Sequence, residues 1–196
     1  MPVLITPAEV IQYSSITASA QTILDKKLIE TLEFRLPTIL NNYFTSDGIQ
    51  IQVTAKFNPT ANTITIDQNS WDIFGFKNGD PIYVYSSYRN DGYKKIDTFT
   101  TNVAYVNSAY SVIDESFPTN LGRVITFALV YVPLDVKAVM AEMIEFDYDI
   151  RSGTSANVKS NSFGPFSETY TIDTDNFGYP KNILDKLERY KLCRLN

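Results

Sequence analysis

The stretch Ile49-Gln50-Ile51-Gln52-Val53 marks the point where the chain changes period. Strict alternation of apolar and polar side chains is the pattern of a strand with one buried face, because successive strand side chains point to opposite sides. The alternation returns at Ile64 and Ile66, then at Ile82 and Val84 with Tyr83 and Tyr85 on the opposite face. Further strands are expected near Lys95–Thr100, Val103–Val106 and Arg123–Val132. Turn signals separate them at Asn58-Pro59, Asn78-Gly79-Asp80-Pro81, Asn90-Asp91-Gly92 and Asn120-Leu121-Gly122, where Gly and Asn relieve positive φ. Several short strands over residues 49–132 predict a small antiparallel barrel or sandwich.

On both sides of this module the period is helical. Thr6-Pro7-Ala8-Glu9 combines a capping Thr, a proline suited to the first helical position and a Glu three residues after the cap. It predicts a short helix to about Ser14, with Val10, Ile11 and Tyr13 turned inward. A longer helix is expected over Ala18–Arg35, where Leu24, Leu28 and Leu32 recur at four-residue spacing and Ile29 and Leu36 widen the stripe. Pro37 is expected to disrupt it or to start a new turn, with Ile39, Leu40, Tyr43 and Phe44 continuing the apolar pattern to Asp47-Gly48. After Pro133 a stripe of Val136, Val139, Met140, Met143 and Ile144 predicts another helix, ending near Arg151-Ser152-Gly153. Residues 154–161 have no period, and Phe166–Ile172 reads as a strand or extended arm. Pro180 opens a last helix with Ile183, Leu184 and Leu187 on one side. The expected fold is α+β. A helical domain of about four helices is formed by residues 1–48 and 133–196, with a hairpin arm and a C-terminal tail, and it carries an inserted antiparallel β domain over residues 49–132.

Composition narrows function by exclusion. The 196-residue chain is 44% hydrophobic and 20% charged, enough to bury a core in one domain plus a modest second module. Its 13 Tyr and 12 Phe favour large half-buried contact surfaces, although antiparallel sheets also draw on these residues. A net charge of −5, with no basic cluster longer than Lys26-Lys27 or Lys94-Lys95, speaks against gripping nucleic acid through phosphates. An acidic surface would instead let DNA slide past. Cys193 stands alone, so no intrachain disulfide forms and a reducing compartment is expected. The N-terminus has no signal-peptide pattern, and no apolar run approaches the ~20 residues of a membrane span. A soluble protein made in the cytoplasm is expected.

The chain contains no histidine. That removes Ser-His-Asp and Cys-His constellations and the commonest general base and zinc ligand. A single Cys leaves no structural zinc site, and no phosphate-cradling glycine motif is present. No enzyme, cofactor or metal is expected. Glu142, Glu145 and Asp149 share one face of the helix after Pro133, with Asp147 nearby. They can be a solvated face, the wall of an anionic channel, or a Mg²⁺ site, which would normally draw carboxylates from more than one element. Lys137 on the same helix is read as a side chain snorkelling from its edge rather than a buried nucleophile. Phe163, Phe166, Tyr170 and Phe177 are spread through a polar aperiodic segment, the composition of a segment that orders on a partner.

Three stretches together resemble the head–tail connector, or adaptor, proteins of tailed phages. Leu4-Ile5-Thr6-Pro7-Ala8-Glu9-Val10 is similar to their opening. Pro133-Leu134-Asp135-Val136-Lys137-Ala138-Val139-Met140-Ala141-Glu142-Met143 resembles their proline-led aliphatic helix. Val158-Lys159-Ser160-Asn161-Ser162-Phe163-Gly164-Pro165-Phe166-Ser167-Glu168-Thr169-Tyr170 resembles their hairpin, followed by a tail that reads Leu187-Glu188-Arg189-Tyr190-Lys191-Leu192-Cys193-Arg194-Leu195. Asn161 stands where the family pattern has an acidic residue, and Pro165-Phe166 where it has Asp-Tyr. The β module, through Phe76–Val84 and Asn90–Ile96, is similar to small β modules of phage structural proteins. The resemblance implies a virion protein at the head–tail interface, made in the bacterial host, that forms a ring, usually of twelve copies, between portal and tail. Genomic DNA would pass through the ring without specific binding. It implies portal or subunit contacts through Phe163, Phe166, Tyr170, Phe177, Leu187, Tyr190, Lys191 and Arg194, and a channel lined by Glu142, Glu145 and Asp149. The next connector or a tail protein would be the other partner. Removal of residues 181–196 is expected to abolish docking while leaving the fold intact. Alternatives are a head-completion (stopper) protein, a tail terminator, or a carbohydrate- or receptor-binding module.

Overall fold

The computed structural model describes residues 4–17, 19, 22, 27–67, 69–115, 124–151, 160–163, 166–169 and 178–192. The chain divides into two compact units: Tyr43–Tyr131, and Leu4–Asn42 together with the chain from Val132.

The first unit is a seven-stranded antiparallel sheet: β1 Thr45–Val53, β2 Ala55–Asn58, β3 Thr63–Ile66, β4 Pro81–Tyr85, β5 Gly92–Phe99, β6 Val103–Val106 and β7 Ile125–Val130. Their order is β1-β7-β4-β5-β6-β3-β2. Only Thr54 separates β1 from β2, so the two ends of this order are halves of one run of chain. β1 pairs with β7 through Val53 opposite Ile125, while β2 pairs with β3 through Ala55 opposite Ile66. The sheet therefore curls around a single apolar interior. Period-two alternation supplies that interior: Ile51, Val53, Phe57, Ile64, Ile66, Ile82, Val84 and Ile96 all face inward and are buried. Trp71, from the segment between β3 and β4, fills the centre with its ring 5.5 Å from Phe76 and 5.3 Å from Phe127. Its indole N–H donates to the Asn102 carbonyl at 3.2 Å, so the polar edge is satisfied inside the core.

The second unit contains α1 (Pro7–Tyr13), α2 (Leu28–Leu40), α3 (Leu134–Arg151), the hairpin strands β8 (Ser160–Phe163) and β9 (Phe166–Thr169), and α4 (Lys181–Leu184), which runs into a 3₁₀ turn over Asp185–Tyr190. Both bonds of the capping box form at α1: Glu9 N–H donates to the Thr6 hydroxyl at 3.3 Å, and Thr6 N–H to the Glu9 carboxylate at 2.8 Å. Val10 is buried, whereas Ile11, expected inward, is exposed. Pro37 does not break α2. The helix passes through it and stops at Asn41, which takes the left-handed conformation at φ 51°. A proline inside a helix costs about 3 kcal/mol. Leu32, Leu36, Pro37, Ile39 and Leu40 are all buried there, and packing of that face offsets the lost hydrogen bond. The stripe of α3 is buried at Val136, Val139, Met140, Met143 and Ile144.

The expectation of a helical domain of about four helices is overturned. The curled sheet is the principal architecture, and α1 and α4 have only 7 and 4 residues. Helices of that length cannot bury a stripe over successive turns, so α2 and α3 alone contribute long apolar faces. The β region is one continuous curled sheet. Leu24, within the expected helix over residues 18–35, lies outside the described residues.

Residues 183–192 of the C-terminal tail pack against their own unit. Ile183, Leu184 and Leu187 are buried, the Asn42 side chain donates to the Tyr190 carbonyl at 2.9 Å, and Leu192 N–H donates to the Leu40 carbonyl at 3.0 Å. Leu187→Ala is expected to destabilise the protein by about 2–5 kcal/mol, as for other fully buried leucines. Urea denaturation measures this, and an unchanged midpoint would show the tail to be an independent arm.

Candidate functional site

The most elaborately built surface feature is the loop between β4 and β5. It begins where Ser86 takes a left-handed conformation, φ 66°, turning the chain sharply out of β4. Asp91 then accepts from both the Ser87 N–H at 2.7 Å and the Ser87 hydroxyl at 2.8 Å, and Asn90 N–H donates to the Ser87 oxygen at 2.7 Å. Side chains of this type mimic backbone turn bonds, which is why an Asn-Asp-Gly sequence turns here.

A second segment locks the loop from outside the turn. Glu115 is only 5% exposed, and its carboxylate accepts from Tyr88 N–H at 2.5 Å, the Asn90 side-chain amide at 2.6 Å and Arg89 N–H at 3.4 Å. The Asn90 side chain, 1% exposed, also donates to the Ile113 carbonyl at 2.9 Å and accepts from Ile113 N–H at 2.8 Å. A buried carboxylate is tolerated only when its lone pairs are used, and here they are. Above this platform the side chains of Tyr88, Arg89 and Ile113 stand exposed, Tyr88 at 59% and Ile113 at 47%. Sequence reasoning found the turn but missed Ser87, Asn90 and Glu115 as a network. Glu115 is distant in sequence and sits in no local pattern, so only the turn residues carried a signal.

On the β4–β5 strands the tyrosines assemble into one cluster. The Tyr83 ring lies 4.4 Å from Tyr43, 4.5 Å from Tyr85 and 4.9 Å from Tyr93. Tyr93 donates its hydroxyl to the Tyr43 carbonyl at 3.2 Å, and the Tyr85 and Thr45 hydroxyls are bonded at 3.1 Å. Burial, reinforced by Tyr43, Tyr85 and Asp91, pushes the Tyr83 hydroxyl well above the usual tyrosine range. Burial lowers the neighbouring Lys94 amine, and Asp91 partly opposes it. Each ring has another tyrosine as a neighbour.

Two open clefts run beside β2 and β3. One of about 380 Å³ is lined by Lys56, Asn58, Thr60, Thr65 and Asp114, the other, of about 470 Å³, by Thr54, Lys56, Thr65, Asp67 and Asn102. Their polar groups have the chemistry to hold a small polar ligand. Among the described residues no three His, Cys, Asp or Glu side chains are grouped to hold a metal ion.

The acidic residues expected to line a channel are half-buried. Glu142 pairs with Lys186 at 2.6 Å, and Glu145 accepts from the Ser15 hydroxyl. Asp149 also has an interaction partner, and Asp147 accepts from the Tyr179 hydroxyl at 2.8 Å. Of the residues expected at the portal or subunit contact, Leu187 is core. Tyr190 donates to Asp135 at 2.6 Å, and exposed Lys191 pairs with Glu188 at 2.5 Å. Phe163 and Phe166 are opposite each other in the β8–β9 hairpin, while Tyr170, Phe177 and Arg194 lie outside the described residues. Lys137 reaches Glu9 at 2.6 Å and is a structural ion pair.

Compared with known proteins, the chain matches no family model and no curated sequence. Among the described residues no helix is long and apolar enough to cross a membrane.

Glu115→Ala is expected to leave three donors of the loop unsatisfied and to lower stability by about 1–3 kcal/mol or more. Hydrogen exchange at the Tyr88 and Arg89 amides should accelerate, and unchanged protection would show the network to be incidental. For Glu9, burial raises the carboxyl pKa, but the Lys137 and Thr6 bonds outweigh it and hold the group below its ordinary 4.5. Its contribution is present above that value and is lost as pH falls below it. The Tm of the wild type should therefore fall more steeply than that of Glu9→Gln between about pH 5 and 3, and parallel curves would contradict this reading.

Proposed function

We propose that the protein is a structural virion subunit of a tailed phage, assembling as a ring between portal and tail, with a steric rather than catalytic role. The observation that carries this reading is a set of large apolar side chains left on the surface of the helical unit. Phe34 is 84% exposed within the otherwise polar outer face of α2, where Lys27, Glu30 and Thr38 are its neighbours by helical spacing, and Leu134 and Leu192 are 65% and 57% exposed. Isolated exposed leucines are ordinary, but a phenylalanine presented this fully is more typical of a contact surface. The resemblance of residues 4–10, 133–143, 158–170 and 187–195 to connector proteins supplies the partners: other copies of the chain, the portal protein, and the next connector or a tail protein. A net charge of −5 suits a ring through which DNA passes without adhering.

Light scattering on the purified protein, alone and mixed with the portal protein of the same virus, tests this. A mass several times the 22.2 kDa chain, formed alone or on the portal, is expected. Phe34→Asp should reduce that mass while leaving the circular dichroism spectrum unchanged. A monomer at every concentration, indifferent to the portal, would remove the ring reading.

A further inference from the structure

Many polar side chains of the first unit serve its own backbone. Asn62 and Asn90 hold the segment after β6, Glu115 holds the β4–β5 loop, and Asp80 accepts from the Lys77 N–H. The outer face of β2 and β3 differs. Because Phe57, Ile64 and Ile66 face the interior, Lys56, Thr65 and Asp67 face out. Lys56 stands opposite Thr65, and the Thr54 carbonyl accepts from the Asp67 N–H at 3.1 Å. Lys56 and Asp67 are therefore diagonal neighbours on one face, roughly 7–8 Å apart at the backbone. Both are exposed and both line the cleft of about 470 Å³. Among the described residues, however, neither the Lys56 ammonium nor the Asp67 carboxylate has an ion-pair or hydrogen-bond partner. The Thr54 and Thr65 hydroxyls in the same cleft also bond nothing among the described residues. Lys56 and Thr65 line the cleft of about 380 Å³ as well, where Asn58 and Asp114 join them.

We infer that the two clefts, joined at Lys56 and Thr65, are one binding groove and that its ligand is a neutral saccharide. Charge selects the class. An anion drawn to Lys56 would meet the carboxylates of Asp67 and Asp114, and a cation drawn to those would meet Lys56. A sugar hydroxyl carries no charge and both donates and accepts, so neighbouring hydroxyls can accept from Lys56 and donate to Asp67. Bonds with one charged partner are also the stronger ones. The Thr54 and Thr65 hydroxyls match further sugar hydroxyls, a use that a small zwitterion does not have for them. Tyr105 adds an apolar surface. It stands opposite Thr63, one pair along from Thr65, and is 44% exposed on the same outer face. The C–H side of a pyranose ring suits the electron-rich face of such an aromatic ring. The cleft volumes lie within the range of small-ligand sites, roughly 300–1,000 Å³. The groove belongs wholly to the first unit, and this inference is independent of ring assembly.

Saturation-transfer difference NMR on the full chain is the test. The probes are glucose, galactose, mannose, N-acetylglucosamine, maltose, lactose and cellobiose, with glycine and inorganic phosphate as charged comparisons. At least one sugar is expected to receive saturation from the wild type. Lys56→Ala and Asp67→Ala should each weaken its binding by about tenfold, the cost of one hydrogen bond to a charged group. Both side chains are exposed, so the melting temperature should stay at the wild-type value, and Thr65→Val serves as a variant that keeps both charges. Sugar binding that all three variants reproduce would overturn the groove as the site. Binding of glycine or phosphate, detected through its effect on the Lys56 and Asp67 side-chain resonances, without binding of any sugar would overturn the saccharide class. No binding of any probe would overturn the inference as a whole.

Discussion

The run Thr45–Asn58 belongs to both ends of the sheet, and the rest of the first unit depends on that constraint. Its first half pairs with β7 and its second half with β3, with Thr54 between them. A flat sheet in this order would separate Val53 from Ala55 by the width of five intervening strands. Chain connectivity forbids that, so the sheet must curl, and curling turns one face of every strand toward a common interior. Trp71, Phe57, Phe76 and Phe127 are large enough to fill it. Smaller side chains would leave voids that a curled sheet cannot close without losing its pairing.

Asparagine and glutamate side chains inside this unit are held by hydrogen bonds. Asn62 takes a left-handed conformation at φ 50°, with its side chain donating to the Val106 carbonyl at 2.8 Å and accepting from Val112 N–H at 3.0 Å. It ties the turn after β2 to the segment following β6. The Asn90–Glu115 network ties the turn after β4 to the end of that same segment. Two asparagines thus anchor the stretch from Asn107 to Glu115, which has no strand of its own. Their amides suit the task because each offers donors and an acceptor at once. The chain spends buried polar groups at the places where irregular backbone needs partners.

In the helical unit the charged residues serve mostly internal ends. The pairs Lys137–Glu9, Lys186–Glu142 and Arg189–Asp135 join helices and turns that are far apart in sequence. The exposed pairs among them, Lys186–Glu142 and Arg189–Asp135, contribute little individually. Phe34, Leu134 and Leu192 are large apolar side chains left exposed on the same unit.

Local signals in the sequence determined the strands at Ile49–Val53, Ile64–Ile66 and Ile82–Val84, the capping box at Thr6 and Glu9, and the buried stripe of α3. Each is a short-range periodic pattern or a contact between residues a few positions apart, and such features are visible without a fold. Pro37 misled, because proline's local penalty was outweighed by burial of the helix face that carries it. The balance between sheet and helices was also not legible, since how far a sheet curls depends on which strands pair, and pairing joins residues as distant as Val53 and Ile125. The loop between β4 and β5 was half visible: Asn90-Asp91-Gly92 announced a turn, while Glu115 was an unremarkable carboxylate until the fold placed it against the Tyr88 N–H. Sequence alone settled where the chain turns and which side chains seek burial. Only tertiary structure decided which carboxylates are neutralised, which are buried, and which aromatic residues are left facing out, because each depends on neighbours brought together by the folded chain.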